Sequence, residues 1–326
     1  MENLDSSCVL CTLLVIVILY ISVQIFRLLV ADCDLSLQWA TRLGRGIGRL
    51  RGKVVWITGA SSGIGEHLSY ELAAAGCRLV LSARRKDELE RVKKQCQVSG
   101  PLKPEDILVL PLDVLKYNTH SDATETVLKY FGQIDVLVNN AGRTQRAVWE
   151  ETDLEVDRDM LDLNVLGVLS LTKAVLPHMI NTSGGHVVVM SSVAGKVGVP
   201  MSGSYCGAKF ALHGWFDSLR SEGYEKNIKV TLLCPGPVFS GILKAAMTSK
   251  HGENYGIDMK SDEKRMSTRR CAYLSAVAIA NELDEVWIAL HPVLGLTYLH
   301  QYMPAISKWL MKGFGMKKIK ELREGR

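Results

Sequence analysis

Tyr205 is followed four positions later by Lys209, and of the ten tyrosines in the chain no other has a lysine at that spacing. On a helix, residues i and i+4 lie one above the other, so the ammonium reaches the region of the phenol. A free phenol has a pKa of about 10, and a fixed positive charge beside it favours the phenolate and lowers that value. A tyrosine placed in this way exchanges a proton with a carbonyl or alcohol oxygen near neutral pH. Exposed helix faces also carry such pairs by chance, so the surrounding elements must decide what this one does.

Residues 53–57 form a short apolar run, Lys-Val-Val-Trp-Ile, that leads into Thr58-Gly59-Ala60-Ser61-Ser62-Gly63-Ile64-Gly65. Leu68, Leu72 and Ala75 follow at helical spacing. A strand, a glycine turn and a helix make a dinucleotide-binding unit: the glycines let backbone approach a pyrophosphate, whose charge sits well at the helix N-terminus. A second strand over 78–82 ends in Ala83-Arg84-Arg85, and the next acid is Asp87. An acid at this point holds the ribose hydroxyl of NAD, whereas an arginine accommodates the 2′-phosphate of NADP, so the sequence favours NADP(H).

Further apolar runs at 107–110, 134–138, 186–190, 229–233 and 285–290 read as strands, with helices over 86–97, 121–131, 160–176 and 205–222 between them. This alternation predicts an α/β fold, a doubly wound parallel seven-stranded Rossmann sheet in a single domain over 52–290. Ligands bind such sheets at the carboxyl ends of the strands. The glycine turn, Arg84, Asp113, Asn140, Ser192 and Pro235 all fall at that edge. The polar, glycine-containing stretch within 242–270 reads as a mobile lid over a substrate.

The ends of the chain predict a membrane. Residues 6–26 carry no charge, and a helix of that length spans roughly 31 Å, enough to cross the hydrocarbon core. Glu2 and Asp5 precede the run and no small-residue cleavage site suits its end, which favours a retained single-pass anchor (1–30) over a cleaved signal. A basic linker (31–51), with Arg42, Arg45, Arg49 and Arg51 followed by Lys53, places the domain on the cytosolic side by the positive-inside rule. The Asn181-Thr182-Ser183 sequon is usable only in the lumen, so both topologies stay open. The amphipathic tail (291–326) carries Lys317, Lys318, Lys320, Arg323 and Arg326; packing on the domain or a second copy, as in a homodimer, and dipping into lipid both remain open. A net charge of +5 is too mild to argue for nucleic acid. The eight cysteines and eight histidines show no metal-ligand spacing.

Over roughly residues 52–240 the chain resembles the short-chain dehydrogenase/reductase superfamily, on Thr58-Gly59-x-x-x-Gly63-Ile64-Gly65, Asn139-Asn140-Ala141-Gly142, Ser192, Tyr205-x-x-x-Lys209 and Pro235-Gly236. The resemblance implies that Tyr205 is the catalytic acid/base and that Lys209 lowers its pKa and holds the nicotinamide ribose. It further implies that Ser192 bonds the substrate oxygen and that Asn164 supports a proton relay through an ordered water. Gly59, Ser61, Ser62, Gly63, Ile64, Arg84, Asp113, Asn140, Pro235, Val238 and Ser240 would line the cofactor. Ser240 stands near the place of the family's usual threonine after Pro-Gly.

More narrowly, the anchor, the Ser82-Ala83-Arg84-Arg85 turn and the Val286-Trp287-Ile288-Ala289-Leu290-His291-Pro292 stretch are similar to the membrane-bound dehydrogenase/reductase family member 7 group, also called retinal short-chain dehydrogenase/reductase 4. That resemblance implies an endoplasmic reticulum membrane enzyme reducing steroids, retinoids, or xenobiotic ketones and quinones. A long-chain 3-ketoacyl or 3-keto-sphingoid reductase is the alternative within the enzyme class. A non-catalytic NADP-binding scaffold is the alternative outside it, although a scaffold would be marked by a missing Ser, Tyr or Lys.

Overall fold

A computed structural model of the chain describes residues 6–324. The Lys317, Lys318, Lys320 and Arg323 side chains lie outside the described residues, as do Glu2, Asp5 and Arg326. The strands β1 (Val54–Thr58), β2 (Arg78–Ser82), β3 (Ile107–Val109), β4 (Val136–Asn139), β5 (Gly185–Met190), β6 (Ile228–Pro235) and β7 (Glu285–Ile288) form one parallel sheet. Their order is β3-β2-β1-β4-β5-β6-β7, as the seven-stranded doubly wound reading requires.

Every residue of β1 is buried because both faces of the sheet are covered. Side chains alternate along the strand, so Val55 and Ile57 enter one core cluster while Val54 and Trp56 enter the other. The first cluster is closed by α3 (Gly63–Ala74), α4 (Lys86–Ser99) and α9 (Thr268–Ala280), through residues such as Leu68, Leu72, Leu89 and Leu274. The second is closed by α5 (His120–Phe131), α7 (Gly167–Asn181) and α8 (Gly203–Gly223), through Val127, Leu171, Leu212 and Phe216. Since β1 pairs with β2 on one side and β4 on the other, the winding reverses between β1 and β4. Crossover helices diverge there and leave a crevice at the strand ends.

Two stretches differ from expectation. Residues 31–51, read as a basic linker, are packed structure. Asp34 caps α2 (Leu35–Leu43) by accepting the Leu37 N–H, and its backbone N–H donates to the Trp287 carbonyl at 2.8 Å. Cys33 and Leu37 are buried in the first core cluster. Its arginines lie on the solvent side, and the inward residues Cys33, Leu37 and Leu50 are too scattered among them to form an apolar run. The helix expected over 160–176 is broken into α6 (Leu154–Leu161), a π-helical turn over Asp162–Leu166, and α7. That turn contains Asn164.

α1 (Ser6–Leu29) stands clear of the sheet, and its apolar window Val9–Arg27 has no buried residue. An exposed apolar helix of this length near the N-terminus is consistent with a membrane anchor or a signal sequence. The tail forms α10 (Val293–Tyr302) and α11 (Pro304–Glu324), the latter kinked at Gly315.

Candidate active site

A cavity of about 1190 Å³ opens at the carboxyl edge of the sheet, over the reversal between β1 and β4. All fifteen residues singled out from sequence line it: Gly59, Ser61, Ser62, Gly63, Ile64, Arg84, Asp113, Asn140, Asn164, Ser192, Tyr205, Lys209, Pro235, Val238 and Ser240. They come from six strand ends, from helices α3 and α8, and, for Asn164, from the π-helical turn before α7.

Thr58, the last residue of β1, and Asn140, just past β4, stitch the floor together. Thr58 Oγ1 accepts the N–H groups of Asn140 (3.0 Å) and Ala141 (3.2 Å), and Asn140 Nδ2 donates to the carbonyls of Thr58 (2.9 Å) and Gly59 (3.2 Å). Gly59 holds φ +65°, and a Cβ there would come within 2.8 Å of Asn140 Nδ2 and 2.9 Å of Ala141 Cα. Only glycine fits. At the start of α3 the N-cap residue Ser62 makes no side-chain cap bond, so the first amides of this helix are left for another acceptor. A Cβ on Gly63 would meet nothing but Ser240 Cβ, at 3.4 Å. An uncapped helix N-terminus beside open space, with Arg84 exposed on the cavity wall after β2, suits a dinucleotide phosphate. Asp113 folds its own loop, accepting the Leu115 N–H at 3.2 Å.

The other side of the cavity carries Tyr205 and Lys209 in the first two turns of α8. Lys209 Nζ donates to the Met190 carbonyl at 2.7 Å and lies 5.7 Å from the centre of the Tyr205 ring. The ammonium therefore sits beside the ring, anchored on β5. Burial pushes the Lys209 amine down to about 8. Ser192 Oγ donates to the Pro235 carbonyl at 3.2 Å and accepts the Ala194 N–H at 3.1 Å. Asn164 is fully buried, and its amide is spent on the backbone of Arg143: Oδ1 accepts that N–H and Nδ2 donates to that carbonyl, both at 3.1 Å. In this arrangement the Asn164 side chain fixes the loop after Gly142, where a Cβ would lie 2.4 Å from its oxygen.

A layer behind the site was not read from sequence. Ser191 Oγ lies 3.0 Å from His213 Nε2, and His213 Nδ1 lies 3.1 Å from Glu285 Oε2. Glu285 also takes the Lys196 ammonium (3.1 Å) and the Trp287 indole N–H (2.6 Å). Burial raises the Glu285 carboxyl, but these hydrogen bonds and the Lys196 charge outweigh it and hold it at about 2. The available signal was His213 itself, one further turn beyond Lys209 on α8. His213, Cys234 and Glu285 bring donor atoms within 4.8 Å of one another, yet Lys196 already supplies the cation there.

The stretch expected as a lid is tied to the wall by Arg143, whose Nε donates to the Ala245 carbonyl at 2.8 Å and whose Nη2 donates to Asn254 Oδ1. Backbone bonds of Arg146 and Thr144 with Met247, both 2.9 Å, extend the tether. Apolar side chains also line the cavity, among them Val197, Val199, Ile242, Met259, Leu296 and Met311.

Residues 53–251 match the short chain dehydrogenase family. The chain is 46% identical over 319 residues to the human "Dehydrogenase/reductase SDR family member 7", covering 97% of this chain and 92% of that one. It is 38% identical over 271 residues to an Anopheles gambiae "Dehydrogenase/reductase SDR family protein 7-like", covering 82% and 84% respectively. Among solved structures, the alcohol dehydrogenase from the archaeon Thermococcus sibiricus complexed with 5-hydroxy-NADP superposes with a TM-score of 0.65 at 26% identity, over 74% of this chain and 97% of that one. With its sheet order, glycine turn and Ser-Tyr-Lys wall in place, the chain belongs to the short-chain dehydrogenase family of oxidoreductases.

Proposed function

We propose that the protein is a membrane-anchored, NADPH-dependent reductase of lipophilic carbonyl compounds, with steroids, retinoids and xenobiotic ketones or quinones as the substrate class. The observation that carries the reading is the placement of Tyr205 and Lys209 on the wall of the same cavity into which the uncapped start of α3 and Arg84 open. Gly59, Gly63, the α3 amides and Arg84 would hold the phosphates, with Val238 and Ser240 lining the same cavity after β6. When bound, the nicotinamide supplies the hydride.

Tyr205 donates its proton to the oxygen of the carbonyl undergoing reduction. Charged Lys209, fixed on Met190, makes the developing phenolate less costly. Ser192 turns its hydroxyl from the Pro235 carbonyl to the substrate oxygen, which orients the carbonyl toward Tyr205. Asn164 holds the floor of the pocket in place through Arg143. The apolar side chains lining the cavity exclude water and favour lipophilic ketones. The NADP bound by the archaeal relative agrees with Arg84 as the selector of the 2′-phosphate.

Detergent-solubilised full-length protein should oxidise NADPH in the presence of at least one ketone from a panel of steroids, retinal, quinones and long-chain 3-keto compounds. Tyr205→Phe should reduce turnover by roughly 10²–10⁴ while leaving NADPH binding intact. NADPH binding without oxidation across the whole panel would show a scaffold instead. We place the chain in the endoplasmic reticulum membrane through α1. A mobility shift on deglycosylation that disappears in Asn181→Gln would assign the domain to the lumen, and its absence agrees with the cytosolic side.

A further inference from the structure

We propose that α2 and the α10–α11 pair form a face that docks on the bilayer, and that the cavity, which α10 and α11 help to wall, opens to lipid beside that pair, so that an apolar substrate passes from the membrane to Tyr205 without crossing water. The inference rests on α1 being a retained span and on the cavity being the reductase site.

Chain geometry sets where the membrane must be. Ala31 is buried against Trp287, Val293, Leu294 and Tyr298, so α1 leaves the body beside α10. Only Val30 lies between Ala31 and Leu29, the end of α1, so the two positions are at most about 7 Å apart. The connector is held rigidly, since the Leu35 N–H donates to Tyr298 Oη at 2.8 Å and the Asp34 N–H donates to the Trp287 carbonyl. The ring of Tyr298 in turn stacks on Tyr302 at 6.2 Å. If α1 crosses the bilayer, Tyr302 lies at its surface.

The surface at that place is apolar. Tyr302 and Trp309 are each 72% exposed, Met303 53% and Ile306 49%, and on the neighbouring α2 Trp39 is 53% and Leu43 73% exposed. Large aromatic and aliphatic side chains gathered around a span have the character of a membrane-interface belt. On α11, Ile306 and Trp309 share one helix face, flanked by the exposed Lys308 and Lys312, whose stems suit snorkelling to lipid headgroups. Ser307 and Met311 fall on the opposite face and line the cavity, as do Val293, Leu296 and Thr297 of α10. The same two helices therefore present lipid-compatible side chains outward and cavity wall inward. A second protein subunit is the competing occupant of such a face, but a partner there would have to share the space with the bilayer that α1 brings to it.

The test uses full-length protein in phosphatidylcholine vesicles with bromines at shallow acyl positions. α1 contains no tryptophan, so quenching reports the body alone. The expected result is strong quenching of wild-type emission, most of which is lost in the Trp39→Phe/Trp309→Phe double variant. Protein that resists alkaline extraction from the vesicles but shows no quenching, or the same quenching in the double variant, overturns the docking face while leaving the anchor. Protein released by alkaline extraction overturns both. Neither readout needs turnover, so a failed substrate panel does not imitate either result. With a reducible substrate in hand, Ile306→Glu should raise KM several-fold for a steroid ketone dissolved in the vesicles and leave it unchanged for a short water-soluble diketone. Equal changes for both would refute access through lipid.

Discussion

Replacing Lys209 by methionine should stabilise the free enzyme at neutral pH relative to its stability at alkaline pH, because the Lys209 ammonium is held where burial opposes its charge. A free lysine titrates near 10.5 and Lys209 near 8, and at 1.36 kcal/mol per pH unit the difference is about 3 kcal/mol. Between those two values the unfolded chain binds more protons than the folded one, so wild-type stability carries a penalty that is full below pH 8 and fades as pH rises toward 10.5. By pH 10 less than about 1 kcal/mol of it remains. The methionine variant has no such group. It also leaves the Met190 carbonyl without the Lys209 bond, a cost that does not depend on pH and is of order 1–3 kcal/mol. The quantity to measure is therefore the change with pH: the stability of the variant minus that of wild type should fall by roughly 2–3 kcal/mol between pH 7 and pH 10. Urea unfolding in mild detergent, followed through the fully buried Trp56, reads it directly. Thiols and phenols remote from Lys209 are common to both proteins and cancel, and making both measurements in a Tyr205→Phe background removes the one phenol beside it. A gap that is constant over this range, or that widens with pH, would refute the claim that burial depresses this lysine.

Three other substitutions test separate parts of the site. Arg84→Ala should lower kcat/KM for NADPH by roughly 10- to 150-fold, the 1.5–3 kcal/mol of a hydrogen bond to a charged group, with little change for NADH; equal losses for both would remove Arg84 as the selector. Gly59→Ala forces a side chain into a left-handed residue against the Ala141 backbone, and calorimetric titration should show NADPH affinity collapsing while far-ultraviolet circular dichroism stays native. His213→Leu removes the partner of both Ser191 and Glu285; it should destabilise the fold by about 1–3 kcal/mol, whereas His213→Gln should recover part of that loss. Equal unfolding midpoints for wild type and His213→Leu would show the network to be idle.

The sheet and its ligand edge were legible because β-strands buried on both faces read as unbroken apolar runs, such as Val54 to Ile57 and Val187 to Met190, and because glycine turns and the Tyr-x-x-x-Lys spacing are local. Arg84 was legible for the same reason, as a charge standing where the strand pattern stops. What escaped was non-local or depended on orientation. Ser191, His213 and Glu285 are far apart in sequence, and each alone looks like an ordinary polar residue. Asn164 was placed on a continuous helix because periodicity does not register one extra residue in a turn. The 31–51 stretch reads as a linker because its buried residues, Ala31, Cys33, Asp34, Leu37, Gln38 and Leu50, stand among four arginines whose charges dominate the pattern. The lid tether needed Arg143 to reach Ala245, a contact that no spacing rule announces.

The Asp34–Trp287 contact described for the fold also decides where this protein can be cut. Its carboxylate accepts the Trp287 N–H while its own N–H returns to the Trp287 carbonyl, so the connector is sewn to the outermost strand of the sheet in the manner of an added strand residue. Trp287 in turn holds Glu285, which holds His213 behind Tyr205 and Lys209. A proteolytic nick or truncation at Val30 would shed the apolar helix and spare this chain of bonds. One at Lys53, where the family's homology begins, would strip β7 of its partner and loosen the Tyr205–Lys209 wall from behind.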